Sequence, residues 1–111
     1  MLKGELPQAV QQALAELRLS LEQIYGPRFR GLYLYGSHAR GDYRADSDVD
    51  LLIVLKGEVN PCAEINRLSE LVSDLCLRYD LLIAVFPVPE AWLQNRQSPL
   101  FKNIRREGIL L

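Results

Sequence analysis

Residues 51 to 55, Leu-Leu-Ile-Val-Leu, form an unbroken apolar run, and Asp48 and Asp50 stand at its entrance with only Val49 between them. A strand with one wet face alternates apolar and polar residues, so a continuous run demands cover on both faces. The fold must therefore contain a central strand, Leu51 to Leu55, whose first residues tolerate two acids. Residues two apart on a strand share a face, which places the carboxylates of Asp48 and Asp50 side by side at a Cα separation of roughly 6 to 7 Å. Carboxylates held ~4 Å apart repel by about 4 kcal/mol at an effective dielectric of 20, a cost that a bound Mg²⁺ more than removes.

A second feature lies just upstream, in Gly36-Ser37-His38-Ala39-Arg40-Gly41. Gly36 lets the backbone approach a phosphate closely, and Ser37 adds a hydroxyl beside the N–H groups of a short helix start. Arg40 lies inside this stretch and Arg44 just beyond it, and a guanidinium binds phosphate in bidentate fashion. A phosphate cradle beside a carboxylate pair suits a nucleotide with its metal. Asp46 and Ser47 are read as shaping the turn before the aspartates. His38 is the chain's sole histidine, which argues against a histidine metal site, and it is expected to be a tolerated surface residue, with direct phosphate contact as the alternative.

The pattern Gly36-Ser37-x-Ala39-Arg40-Gly41, followed by Ser47-Asp48-x-Asp50-Leu51 entering a strand, resembles the polymerase β type nucleotidyltransferase superfamily. Within it the chain is similar to the minimal nucleotidyltransferases, and the likeness extends to the ending Ser98-Pro99-Leu100-Phe101-Lys102-Asn103-Ile104-Arg105-Arg106-Glu107-Gly108. The resemblance implies transfer of a nucleotidyl group from ATP, with two Mg²⁺ ions as cofactor, and β- and γ-phosphates held at Gly36 and Ser37. It also implies a third carboxylate on a later strand. Asp80, in Tyr79-Asp80-Leu81-Leu82, is the candidate; otherwise it caps the exit of the preceding helix. Proteins of this group often act as the antitoxin of a HEPN-type ribonuclease toxin, and some transfer AMP to a tyrosine of that toxin. That is the leading expectation. The alternatives are an antitoxin that neutralises its partner by contact alone, and an enzyme that nucleotidylates a small molecule such as an aminoglycoside.

The rest of the chain supplies the frame. Leu6, Val10, Leu14, Leu17, Leu21 and Ile24 recur at helical steps, and Gly26-Pro27 ends that helix. Leu32 to Tyr35 reads as a strand delivering Gly36 and Ser37 to the site. Asn60-Pro61 offers a helix cap, and Ile65, Leu68, Val72, Leu75 and Tyr79 keep a helical period. A further strand is expected over Leu81 to Phe86, ended by Pro87 and Pro89. Short helices follow, one opening at Pro89 and one at Ser98-Pro99 that closes at Gly108.

These elements predict an α/β fold, a small mixed sheet with helices mainly on one face, and 111 residues suit one minimal nucleotidyltransferase domain over 1–111. Arg96, Lys102, Arg105 and Arg106 make the last segment locally basic, and Ile109-Leu110-Leu111 is expected to dock on the chain's own sheet. The formal net charge of -1 provides no general basic field, so stable nucleic-acid binding is not expected. No apolar run approaches the ~20 residues of a membrane helix, and the first residues lack an apolar signal core, so the protein reads as cytosolic. Cys62 and Cys76 are about four helical turns apart on one predicted helix and cannot pair there.

Overall fold

The computed structural model describes residues 6–111. Helix α1 (Gln8–Tyr25) leads through a single 3₁₀ turn, Gly26–Arg28, into strand β1 (Phe29–Tyr35) and a one-turn helix α2 (Ser37–Arg40). Then come β2 (Val49–Leu55), α3 (Pro61–Tyr79), β3 (Ile83–Pro89), α4 (Glu90–Asn95), α5 (Pro99–Glu107) and β4 (Ile109–Leu110). The sheet order is β3-β2-β1-β4. β1 runs antiparallel to β2 and β4, whereas β2 and β3 are parallel. Parallel neighbours cannot be joined by a tight hairpin, and α3 is the crossover that joins them.

The apolar run of β2 takes cover on both sides, as its composition demands. Leu51, Ile53 and Leu55 point into one core with Leu14, Leu17 and Leu21 of α1 and Leu68 and Leu75 of α3. Leu52 and Val54 point the other way, against Val88, Phe101 and Ile104. The long helices thus share one face, and the short α4 and α5 close part of the other. The β1 strand obeys the same alternation: Leu32 and Leu34 join the first core, Tyr33 and Tyr35 the second.

Helix α1 departs from expectation at its end. Ile24 is 40% exposed, and Tyr25 takes the core position, its hydroxyl donating to Glu64 Oε1 of α3 at 2.7 Å. The step from Leu21 that meets the sheet is four residues rather than three. Asn60 caps α3 as its residue type predicts, accepting from the Ala63 N–H at 3.2 Å, and Cys62 and Cys76 are both free thiols. Across the helix pair, Glu16 of α1 accepts from the Arg78 guanidinium and from the Tyr79 hydroxyl at 2.6 Å.

Strand β3 corrects the expected bounds. It starts at Ile83 and runs through Pro87 and Pro89, which pair in register with Ile53 and Leu55. An edge strand has one side without a ladder partner. Pro87 and Pro89 are two residues apart, so both turn their missing N–H to that side, where none is needed. At the far edge the chain's end docks on its own sheet: Ile109 and Leu110 pair with Leu34 and Tyr33, and the Leu111 N–H donates to Leu32 O at 2.8 Å. Among the described residues no helix is long and apolar enough to cross a membrane.

Candidate active site

The site forms where β1 ends and β2 begins, because antiparallel pairing brings those two ends together. Gly36 leaves β1 with φ 75° and ψ −154°, a conformation open to glycine and strained for other residues. Its carbonyl accepts from the N–H groups of Ala39 and Arg40, both at 3.1 Å, which winds the single turn of α2. Gly41 stops that turn in the left-handed region at φ 86°. A Cβ at residue 36 would collide with Oδ2 of Asp50, so the bare glycine is what lets the turn and the carboxylate sit against each other. The phosphate-type turn and the acid are thus in contact.

The loop from Gly41 to Asp48 closes on itself before β2 begins. Ser47 Oγ accepts from the Arg44 N–H at 2.8 Å, and the Ser47 N–H donates back to Arg44 O at 3.1 Å. Ser47 therefore shapes the turn, as its residue type suggests. The Val49 N–H donates to Leu82 O at 2.7 Å, fixing the head of β2 between its neighbours. Asp48 is exposed and Asp50 half-buried. The Asp50 carboxyl is raised above the ordinary range, first by burial and then by the charge of Asp48, with His38 and Arg40 opposing the rise. An acid pair of this kind is short of positive charge.

Asp48 and Asp50 fit Mg²⁺ by chemistry: hard oxygen donors, side by side, next to a turn suited to the phosphates that complete such a shell. Mg²⁺ commonly takes only one or two carboxylates and fills the remaining positions with water and substrate phosphate oxygens. A third acid is not gathered with them. Among the described residues, no three His, Cys, Asp or Glu side chains are grouped to hold a metal. Asp80 does not head a strand. It is the C-cap of α3, exposed, at φ 53° and ψ 53°, with its N–H donating to Cys76 O. An aspartate tolerates the left-handed region better than most residues, which is why it suits the helix exit.

The two arginines part company. Arg40 faces a cleft of about 680 Å³ that it shares with Arg106, Glu107 and Ile109. Its guanidinium lies 3.1 Å from Asp42 Oδ2 and 3.9 Å from Glu107 Oε2. Arg44 is exposed and lines a separate groove of about 480 Å³ together with His38, Asp46 and Asp80. Of the basic tail residues, Arg96 lies over the Trp92 ring at 3.5 Å and Arg105 donates to Leu93 O at 2.7 Å.

Three residues near the site were not singled out for it by sequence. Tyr35 pairs directly with Asp50 across β1 and β2, and its phenol is raised by burial and by the Asp50 charge. The signal was present, since Tyr35 is the last strand residue before Gly36. Glu107 reaches Arg40 across 67 positions of sequence, which no local pattern could announce. His38 is not a surface residue: it is 5% exposed, stacked on Tyr43, with Nδ1 3.1 Å from Asp48 O.

Comparison with known proteins shows the family of the chain. The family described as "Nucleotidyltransferase domain" matches residues 14–100. A protein of Methanocaldococcus jannaschii named "Putative protein adenylyltransferase" is 31% identical over 102 residues, covering 91% of this chain and 96% of that one. A solved "putative minimal nucleotidyltransferase" superposes with a TM-score of 0.56 at 25% identity, covering 97% of this chain and all of that one. A crystal structure of a toxin-antitoxin with AMP-PNP has a TM-score of 0.59 at 19% identity, covering 86% of this chain and 69% of that one. At that identity the last likeness concerns the fold.

Proposed function

The chain belongs to the nucleotidyltransferase domain family, and from that premise we propose that it is a Mg²⁺-dependent protein adenylyltransferase acting as the antitoxin of a HEPN-type ribonuclease toxin. Its substrates are ATP and a tyrosine hydroxyl of the toxin. The observation that carries the reading is the apposition of Gly36 and Asp50, which joins a phosphate turn to a metal-suited acid pair. The similarity to a protein named "Putative protein adenylyltransferase" along nearly the whole of both chains favours a protein acceptor.

In the proposed reaction the acceptor oxygen forms a bond to the α-phosphorus of ATP. The bond from that phosphorus to the bridging oxygen breaks, and pyrophosphate leaves. Gly36 admits the phosphates close to the backbone, and the Ser37 hydroxyl donates to their oxygens. Asp48 and Asp50 hold the Mg²⁺, which when bound neutralises charge on the triphosphate. The acceptor hydroxyl loses its proton to water as its oxygen bonds the phosphorus, at a site where Asp48 is exposed. Arg40, near enough to act on the charge of Asp50, is the arginine assigned to phosphate, and Arg44 lines the groove behind the loop. Tyr35 walls the pair on the β1 side.

The deciding experiment mixes the protein with the candidate toxin, ATP and Mg²⁺ and reads the toxin's intact mass. Added AMP that disappears when Asp48 and Asp50 become Asn supports the reading. Full neutralisation of the toxin with unchanged mass would replace it with inhibition by contact alone.

A further inference from the structure

His38 is the buried polar side chain among the described residues, and the reaction as written does not use it. It follows Ser37 directly, so its backbone belongs to the phosphate turn, while its ring reaches the head of β2. Nδ1 lies 3.1 Å from the carbonyl oxygen of Asp48. A carbonyl oxygen only accepts, so Nδ1 must carry the proton and donate. The ring is held flat against Tyr43, with centroids 4.4 Å apart and planes within 6°. Tyr43 stands in the loop that separates the two halves of the site. One side chain therefore spans from the turn to the backbone of a proposed metal ligand, and a stacked ring fixes its angle.

We infer that His38 is a positioning residue: its Nδ1–H bond to Asp48 O, locked by stacking on Tyr43, sets the Asp48 carboxylate relative to the Gly36-Ser37 turn. This rests on the proposed function in taking Asp48 as a metal ligand. The loop from Gly41 to Asp48 is largely exposed, and at its end, one residue before Val49 enters the sheet on Leu82 O, the His38 ring reaches from the turn to the Asp48 carbonyl. Groups that orient a metal ligand from behind characteristically change metal affinity when removed, by about 10- to 100-fold.

Two substitutions separate the bond from the ring. His38→Asn keeps an N–H donor near the Nδ1 position and loses the ring; His38→Phe keeps a stacking ring and loses the donor. With Mn²⁺ as probe and electron paramagnetic resonance as readout, His38→Phe is expected to weaken binding to the full chain about tenfold, and His38→Asn to stay within about threefold of the parent. The reverse order would overturn the proposal and leave His38 a packing residue. Parent-like Mn²⁺ binding by His38→Phe, with binding lost in the Asp48→Asn, Asp50→Asn double variant, would overturn it while leaving the proposed function standing. Undiminished binding in the double variant would overturn both. Because His38 is the sole histidine, the ¹⁵N imidazole spectrum of the parent protein tests the bond without any variant. A protonated Nδ1 whose resonance moves on adding Mg²⁺ supports it, and an unprotonated Nδ1 overturns it even if His38→Phe fails to fold.

Discussion

At the scale of single residues, Gly36 and Asp80 carry opposite lessons about the left-handed region. Gly36 needs its positive φ and also needs to lack a Cβ, because Asp50 occupies the space. Gly36→Ala is therefore expected to cost about 1 to 3 kcal/mol in denaturant unfolding and to abolish AMP transfer. Asp80 sits at positive φ merely to end a helix. Asp80→Asn, which keeps a residue tolerant of that backbone, should leave the transfer rate within about threefold, whereas Asp48→Asn should lower it roughly 10³-fold, the worth of several kcal/mol of charge stabilisation. Equal losses in the two variants, measured by toxin mass against time, would restore Asp80 as the third acid. The turn at Gly36 and Ser37, and the position of Asp48 and Asp50 at the head of β2, were legible because short-range pattern sets them. Asp80 was misplaced because helix exit and strand entry look alike in Tyr-Asp-Leu-Leu.

At the scale of elements, α1 and α3 are joined at the surface by Glu16, Arg78 and Tyr79. Arg78 and Tyr79 donate to the Glu16 carboxylate and lower its pKa from the ordinary 4.5 to about 2. The folded state thus holds this carboxylate charged where the unfolded chain would already be protonated. Its contribution is fully present above pH 4.5 and is lost as pH falls toward about 2. Glu16→Gln should flatten the fall of the thermal midpoint across that window relative to the parent; an unchanged pH profile would deny the cluster any role. Strand β3 makes a different prediction. Pro87 and Pro89 are buried, so replacing both with Thr puts N–H donors on the outer side where β3 has no ladder partner and should lower the thermal midpoint, at a cost of about 1 to 3 kcal/mol per unpaired donor; an unchanged midpoint would show that water reaches that side. Helical periodicity foretold α1 and α3, but it could not say that β3 would cross its prolines, because that depends on which neighbour the strand pairs with.

At the scale of the whole molecule, the two cores meet at β2, and the site sits where the second core gives out. Leu52 and Val54 are covered by Phe101 and Ile104, while Asp50, on the same face, lies at the open end. If metal and nucleotide join there, AMP-PNP with Mg²⁺ at 100 times its dissociation constant should stabilise the fold by about 2.7 kcal/mol. In a chain of this size that is of order 10 °C in the thermal midpoint. The Asp48→Asn variant should show little of this rise, and a full rise in it would place the ligand elsewhere. The sequence by itself determined the parts that depend on neighbours a few positions away: the helical stripes, the doubly covered strand, the glycine turn and the acids two apart. Their physics is local, since side-chain period and backbone freedom are properties of short segments. Only the tertiary structure decided that Tyr25 rather than Ile24 enters the core, that Arg40 meets Glu107, that Tyr35 faces Asp50 and that His38 is buried against Tyr43. Those facts depend on register and on the packing of distant segments, where one residue's shift changes the face a side chain presents.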